Sequence, residues 1–294
     1  MIKLALYDMD NTMLPLGEPY IPERSIQAIR ACQELGIDVG PCSGRSRAEL
    51  AQFFQNDASC YNTGVTINGM RIYLSGQLVY EVSLSNKALT KVKEIVVQHS
   101  GAALALYRDN KTPFWVGMPQ EELGDMYHFA QLEAATCVDA VPNDAFMKAG
   151  IIFFADKDKF LALQADLEAA CPEFDFVSTV DYWWDIIPRN VSKQVGVDIL
   201  RKTMNLSLDE VCVFGDADND LEMLRFVPNS VCVANGNERA HAAARWHIGA
   251  SADGAVASAL WDIAHAAQTG GMPAFMCEQN RNHQRIDAQG NHVD

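Results

Sequence analysis

The chain has no C-x-x-C pair, no internal repeat, and no uninterrupted apolar stretch long enough to span a bilayer. Its opening, MIKLALYDMD, is a short apolar run that soon turns acidic, without the long apolar stretch and small-residue cleavage site of a signal peptide. Basic residues are scarce: 23 Lys and Arg stand against 38 Asp and Glu, for a formal net charge of -15 and a pI near 4.8. Such a surface repels nucleic acid and anionic lipid, so neither nucleic acid nor a membrane is expected as a partner. Cys32, Cys42, Cys60, Cys137, Cys171, Cys212, Cys232 and Cys277 are scattered, most of them in apolar runs. They read as reduced, buried thiols in a cytoplasmic protein.

What the chain does have is 294 residues and 49% hydrophobic content, ample for a buried core in one large or two modest domains. Lys3–Tyr7 reads as a buried strand, Pro22–Leu35 as an amphipathic helix stopped by Gly36, and Ile37–Pro41 as a second strand. A helix is expected over Arg47–Gln55, then strands and hairpins with turns at Asn68-Gly69 and Ser75-Gly76. The texture changes near Ser85, and residues 85–181 read as an inserted α+β domain that includes a helix over Pro119–Leu132. The strand–helix rhythm is expected to resume with a strand at Tyr182–Ile187, followed by the Lys193–Met204 helix and the Val211–Phe214 strand. Strands alternating with helices imply an α/β core, a Rossmann-like parallel sheet with helices on both faces. Residues 1–84 and 182–269 make this core, and the polar segment 270–294 reads as a disordered tail.

In such sheets ligands bind beyond the carboxyl ends of the strands. Four strand ends or helix starts deliver polar groups there. Asp8-Met9-Asp10-Asn11-Thr12 sets two carboxylates two residues apart, a repulsion that a divalent cation relieves. Hard oxygen ligands of this kind suit Mg²⁺. Ser43-Gly44-Arg45 offers a hydroxyl and approachable backbone N–H groups for a phosphoryl oxygen. Ser192-Lys193 opens a helix, where a lysine costs a little stability that a bound phosphate offsets. Gly215-Asp216-Ala217-Asp218-Asn219-Asp220 is an acidic run, but Leu221 stands where a calcium loop requires glycine. Taken singly, each group has a plain alternative: turn or N-cap residues for Asp8 and Asp10, an N-cap for Ser43, and an indifferent surface lysine for Lys193. The strength lies in the set.

DMDNT, CSGR, VSKQVG and GDADNDLEML, in this order, resemble the four motifs of the haloacid dehalogenase superfamily. The insert between Ser43 and Lys193, preceded by VTINGMRI, resembles the Cof-type phosphatases that carry a C2 cap. The segments around Asn235 and Asp253 add smaller matches, and the resemblance covers roughly residues 1–267. Two departures are mild: Ser43 stands where threonine is commoner, and Asn235 where many relatives have methionine. The resemblance implies that Asp8 is the nucleophile and forms an aspartyl phosphate, and that Asp10 is the general acid and base. It implies Mg²⁺ held by Asp8, the backbone carbonyl of Asp10 and Asp216, with Asp220 supporting. It implies a phosphate held by Ser43, Gly44, Lys193, Asn219 and the backbone around Met9. The insert becomes a cap that contacts the variable part of the substrate. Tyr107, Arg108, Trp115 and Trp183-Trp184 are candidates there, although packing in the cap core or hinge explains aromatics of this kind better. The expected substrates are small phosphorylated metabolites, sugar phosphates or cofactor phosphates, acted on by a monomer or homodimer. A phosphoryl-transferring or phosphonate-cleaving relative, or a binding protein that keeps the fold, is the alternative. The place of the insert and the intact Asp8, Asp10, Lys193 and Asp216 argue against these.

Overall fold

The computed structural model describes the chain except residues 110, 118–134, 154–156, 181–182, 288, 290 and 294. The expected helix over 119–132 therefore lies outside the described residues. The chain divides into two compact units, Met1–Glu81 with Ser192–Asp294, and Val82–Val191. The first unit begins with β1 (Leu4–Tyr7), α1 (Glu23–Gln33), β2 (Asp38–Pro41), α2 (Arg47–Phe53), β3 (Gly64–Thr66), β4 (Arg71–Leu74) and β5 (Gln77–Glu81). The second contains α3 (Asn86–Val96), β6 (Ala102–Arg108), β7 (Lys111–Gly117), β8 (Thr136–Cys137), β9 (Lys148–Phe153), α4 (Lys157–Ala170), β10 (Phe174–Val180) and β11 (Trp183–Pro188). The first unit resumes with α5 (Lys193–Thr203), β12 (Val211–Gly215), α6 (Leu221–Phe226), β13 (Asn229–Val233), α7 (Glu238–Ala243), β14 (Trp246–Ile248) and α8 (Ala255–Thr269).

The first unit is built on a parallel sheet of order β14-β13-β12-β1-β2. Its strands are apolar on both sides, and their side chains alternate between two cores. Ala5, Tyr7, Cys212, Phe214, Val231 and Val233 join one cluster with residues of α1 and α8. Leu4, Leu6, Val211, Val213 and Cys232 join the other with residues of α5, α6 and α7. Period-two alternation thus gives each face its own layer of helices, as expected for an α/β sheet. Each fully buried Leu or Val contributes about 1.5–3 kcal/mol, so these strands are the fixed frame of the unit. The segment after α2 forms a separate antiparallel sheet, β3-β4-β5.

The second unit is a sheet of order β10-β11-β9-β6-β7-β8, antiparallel except for the short β7–β8 pair. It corrects one expectation. The Trp183–Pro188 strand does not rejoin the parallel sheet; it pairs antiparallel with β9 and β10. An apolar strand reads alike in either sheet, and here the short β10–β11 connection makes the antiparallel partner the nearest one. The parallel rhythm resumes only at Lys193. The aromatic residues pack within this unit: Trp115, Trp183 and Trp184 are all buried, and Trp184 lies 4.6 Å from the ring of Phe160. Arg108 pairs with Asp144 at 3.1 Å and sits over Phe114.

The second correction concerns the polar end of the chain. Residues 270–294 are not a loose tail in their described part. Phe275 and Met276 are buried in the α1–α8 core. Arg285, 7% exposed, donates to the carbonyls of Leu224, Arg225, Val227 and Ala243 at the ends of α6 and α7. Helix C-termini leave carbonyls unsatisfied, and a guanidinium is the side chain with enough donors to serve two of them at once. Of the cysteines, all but exposed Cys137 and half-buried Cys277 are buried, and all eight are free thiols. Among the described residues no helix is long and apolar enough to cross a membrane.

Candidate active site

The site is assembled by register. Tyr7 pairs with Phe214 in neighbouring parallel strands, and the Asp8 amide continues the ladder by donating to Phe214 O at 2.9 Å. Asp8 and the Gly215-Asp216 segment therefore leave the sheet side by side. On the other side of β1, the Cys42 amide donates to Tyr7 O, which sets Ser43 at the end of the adjacent strand.

Three carboxylates meet here. Asp8, Asp216 and Asp220 are buried, and each offers an oxygen within 4.8 Å of the others. Lys193, 1% exposed, lies between them: its Nζ donates to Asp8 Oδ1 at 2.5 Å and to Asp220 Oδ1 at 2.6 Å. The sequence makes this possible in two places. Ser192 caps α5 by accepting from the Val195 amide, so Lys193 is the first helical residue. Gly69, at φ +102°, lets the chain pass close to that cap; a Cβ there would sit 2.2 Å from Ser192 O. Gly215 does the same for the acidic loop, where a Cβ would sit 2.6 Å from Asp220 Cγ.

Asp220 organises the acidic loop. Its Oδ2 accepts from the amides of Asp216 and Ala217 at 2.9 and 3.1 Å, which folds the loop into a single turn, while Oδ1 faces Lys193. Thr12 Oγ1 donates to Asp216 Oδ1 at 2.7 Å. The electrostatics follow from three acids sharing one ammonium. Burial pushes the Asp8 carboxyl up to about 8 against the pull of Lys193, and Asp220 and Asp216 push it further. Burial likewise pushes Asp216 up to about 6, with Thr12 holding it back and Asp220 opposing Thr12. Burial disfavours the charged form of Lys193, but Asp220 and Asp8 outweigh it and hold the ammonium well above the usual lysine range. One cation short of balance, with hard oxygen donors only, the cluster has the chemistry of a site for a divalent cation.

The other expected residues fall around this cluster. Met9 is fully buried, and its carbonyl accepts from Thr12, Met13 and Leu14, winding the first loop into a tight turn. Ser43 is buried, with Oγ accepting from the Arg45 amide at 3.2 Å. Gly44 passes close to Asn68; a Cβ on it would meet Asn68 Nδ2 at 3.0 Å. Asn219 is half-buried in the Asp218–Asp220 turn. Asp10 is the exception: its side chain is 53% exposed and is not a member of the carboxylate cluster. It turns instead to Arg45, which donates from Nε at 2.8 Å and from Nη2 at 2.6 Å.

Three residues at the site had been given no role from sequence. Thr12 and Arg45 stand inside the quoted motifs, DMDNT and CSGR, but spacing alone does not tell which neighbour each would meet. Asn235 ties two loops together, donating to Asn11 O at 2.7 Å and accepting from the Ser251 amide at 2.8 Å. Asn11 itself adopts φ +58°, a conformation that asparagine tolerates better than most residues.

A family model for haloacid dehalogenase-like hydrolases matches residues 5–260. The chain belongs to this family. Within it, the chain is 27% identical to the HMP-PP phosphatase of Klebsiella pneumoniae (strain 342), covering 80% of this chain and 85% of that protein. It is 28% identical to the 5-amino-6-(5-phospho-D-ribitylamino)uracil phosphatase YbjI of Escherichia coli (strain K12), covering 85% of this chain and 92% of that one. Among solved structures, the HAD subclass IIB sugar phosphatase BT4131 superposes with a TM-score of 0.73 at 17% identity, over 89% of this chain and 98% of that one. That structural likeness carries the fold, a parallel α/β core of the family's type. The family match spans all four motifs and both segments of the parallel sheet.

Proposed function

We propose that the chain is a Mg²⁺-dependent phosphatase that hydrolyses small phosphate monoesters through an aspartyl phosphate on Asp8. The observation that carries this reading is the meeting of Asp8, Asp216 and Asp220 around Lys193 at the end of the β1–β12 pair.

Asp8 attacks phosphorus as the bond to the alcohol oxygen breaks, and Asp10 gives that oxygen its proton. Asp10 then takes a proton from water as the water oxygen attacks phosphorus, which releases phosphate and restores Asp8. Lys193 holds Asp8 in place and, with Ser43, Gly44, Asn219 and the backbone at Met9, binds the phosphoryl oxygens. Asp8, the backbone carbonyl of Asp10 and Asp216, supported by Asp220, would hold a Mg²⁺, which would supply positive charge to shield the attacking carboxylate from the phosphate.

The names of the two curated relatives, one acting on HMP-PP and one on a phosphorylated ribitylamino-uracil, support phosphorylated metabolites as substrates, with sugar or cofactor phosphates foremost. A cytoplasmic monomer or homodimer completes the reading. Turnover of p-nitrophenyl phosphate by the wild-type protein and its loss in Asp8→Asn test the reaction. A panel of phosphorylated metabolites then identifies the substrate. Wild-type rates in Asp8→Asn would end the proposal.

A further inference from the structure

The Asp10–Arg45 pair is not explained by the reaction outlined above. Asp10 projects from a tight turn whose backbone is fixed: Asn11 N donates to Leu14 O, and Met9 O accepts from three amides. Its side chain, however, is more than half exposed, and an exposed aspartate turns freely about its own bonds. Among the described residues only Arg45 hydrogen-bonds its carboxylate, with Nε on one oxygen and Nη2 on the other.

Arg45 is itself anchored. Its amide donates to Ser43 Oγ, and its carbonyl accepts from Ile67 at 3.1 Å. Its guanidinium lies over the ring of Phe53, 4.3 Å from the centroid, and Phe53 packs against the α1–α8 core. Stacking fixes the plane of the fork and leaves its edge toward Asp10. The rigid partner is thus the arginine, and the aspartate takes its direction from it.

We propose that Arg45 is a positioning residue for Asp10, aiming the carboxylate for the step in which it takes a proton from water and the Asp8–phosphate bond breaks. This rests on the phosphatase reading. A fork that occupies both oxygens suits the carboxylate, which is the form needed as base, rather than the carboxylic acid needed to protonate a leaving group. Arg45 therefore serves the second half of the reaction.

The two halves separate kinetically. With p-nitrophenyl phosphate the leaving group departs without an acid, so kcat/KM reports formation of the aspartyl phosphate and kcat its hydrolysis. In Arg45→Met, kcat falls about 10- to 100-fold, a fraction of what a general base supplies. KM falls in step, kcat/KM stays at the wild-type value, and a burst of p-nitrophenol accompanies phosphoenzyme detectable by intact mass. Arg45→Lys, which keeps the charge but not the fork, recovers part of kcat, and thermal melting confirms that both variants fold. A raised KM with unchanged kcat would instead make Arg45 a phosphate contact and overturn the assignment. Equal loss of kcat and kcat/KM without phosphoenzyme would overturn it as well. Asp10→Asn is the reference. If it accumulates phosphoenzyme and Arg45→Met does not, the phosphatase reading stands and the positioning role fails. If neither wild type nor Asp10→Asn ever forms phosphoenzyme, and Asp8→Asn turns over, both fail together.

Discussion

Thr12 Oγ1 lies 2.7 Å from Asp216 Oδ1, so a hydroxyl in the loop after the first strand orients a carboxylate 204 residues away in the chain. Partners of this kind hold a ligand's carboxylate in one orientation, and their loss costs metal affinity about 10- to 100-fold. Thr12→Val keeps the shape and removes the donor. The Mg²⁺ concentration for half-maximal activity should rise by about that factor, with activity recovered at saturating Mg²⁺. An unchanged Mg²⁺ dependence would separate Thr12 from the metal site.

Among the described residues Lys193 carries the only ammonium paired with Asp8 and Asp220. Removing one partner of a buried ionic cluster leaves charge uncompensated and costs about 3–5 kcal/mol. Lys193→Met should lose activity and unfold at lower urea. The deficit should narrow when Mg²⁺ is added, because a cation partly replaces the lost charge. A deficit of the same size with and without Mg²⁺ would show that the metal binds elsewhere.

Chelation offers a further test. Excess EDTA should silence the wild-type enzyme and lower its melting temperature, and Mg²⁺ should restore both. A ligand at one hundred times its dissociation constant stabilises the folded state by about 2.7 kcal/mol. Full activity in excess chelator would refute the role given to the carboxylate cluster.

Arg285 predicts a structural role for the end of the chain. Hydrogen bonds from a charged donor to buried carbonyls are worth about 1.5–3 kcal/mol. Arg285→Met, and more strongly a chain ending at Gly270, should lower stability in urea while leaving the KM of the folded enzyme unchanged. A truncated protein with wild-type stability would show the segment to be passive.

The Lys3–Glu210 pair gives an acid-side prediction. Glu210 is held down to about 2 by the Lys3 hydrogen bond first, then by the amide and hydroxyl of Ser207. Its folded value lies below its ordinary value of 4.5, so the stabilisation is present above about 4.5 and fades as pH falls toward 2. Glu210→Gln should therefore melt below wild type at pH 7, and the gap should shrink between pH 4.5 and pH 3. A gap that stays constant through that range would assign it to packing instead.

Much of the first unit was legible because its signals are local. β1 is an unbroken apolar run ending in Asp8, and Ser192-Lys193 marks a helix start by residue type alone. The four motifs then named candidate site residues, and the structure brings Asp8, Lys193, Asp216 and Asp220 together. What was missed depends on partners rather than pattern. Trp183–Pro188 is apolar whichever sheet receives it, so its antiparallel pairing with β9 left no mark in the sequence. The segment from Gly270 is polar on average, and an average hides the few residues, Phe275, Met276 and Arg285, that anchor it. Asp10 and Arg45 are separated by 35 positions, and only the fold reveals that one faces the other.

The pairing of β1 with β12 has a consequence for how the protein comes into being. A nascent chain released only through its inserted unit holds Asp8 and Asp10 but neither the lysine nor the acidic loop that completes their surroundings. On the proposed reading, chemistry at Asp8 thus waits for the last third of translation, and products that stop short of the acidic loop are born inert.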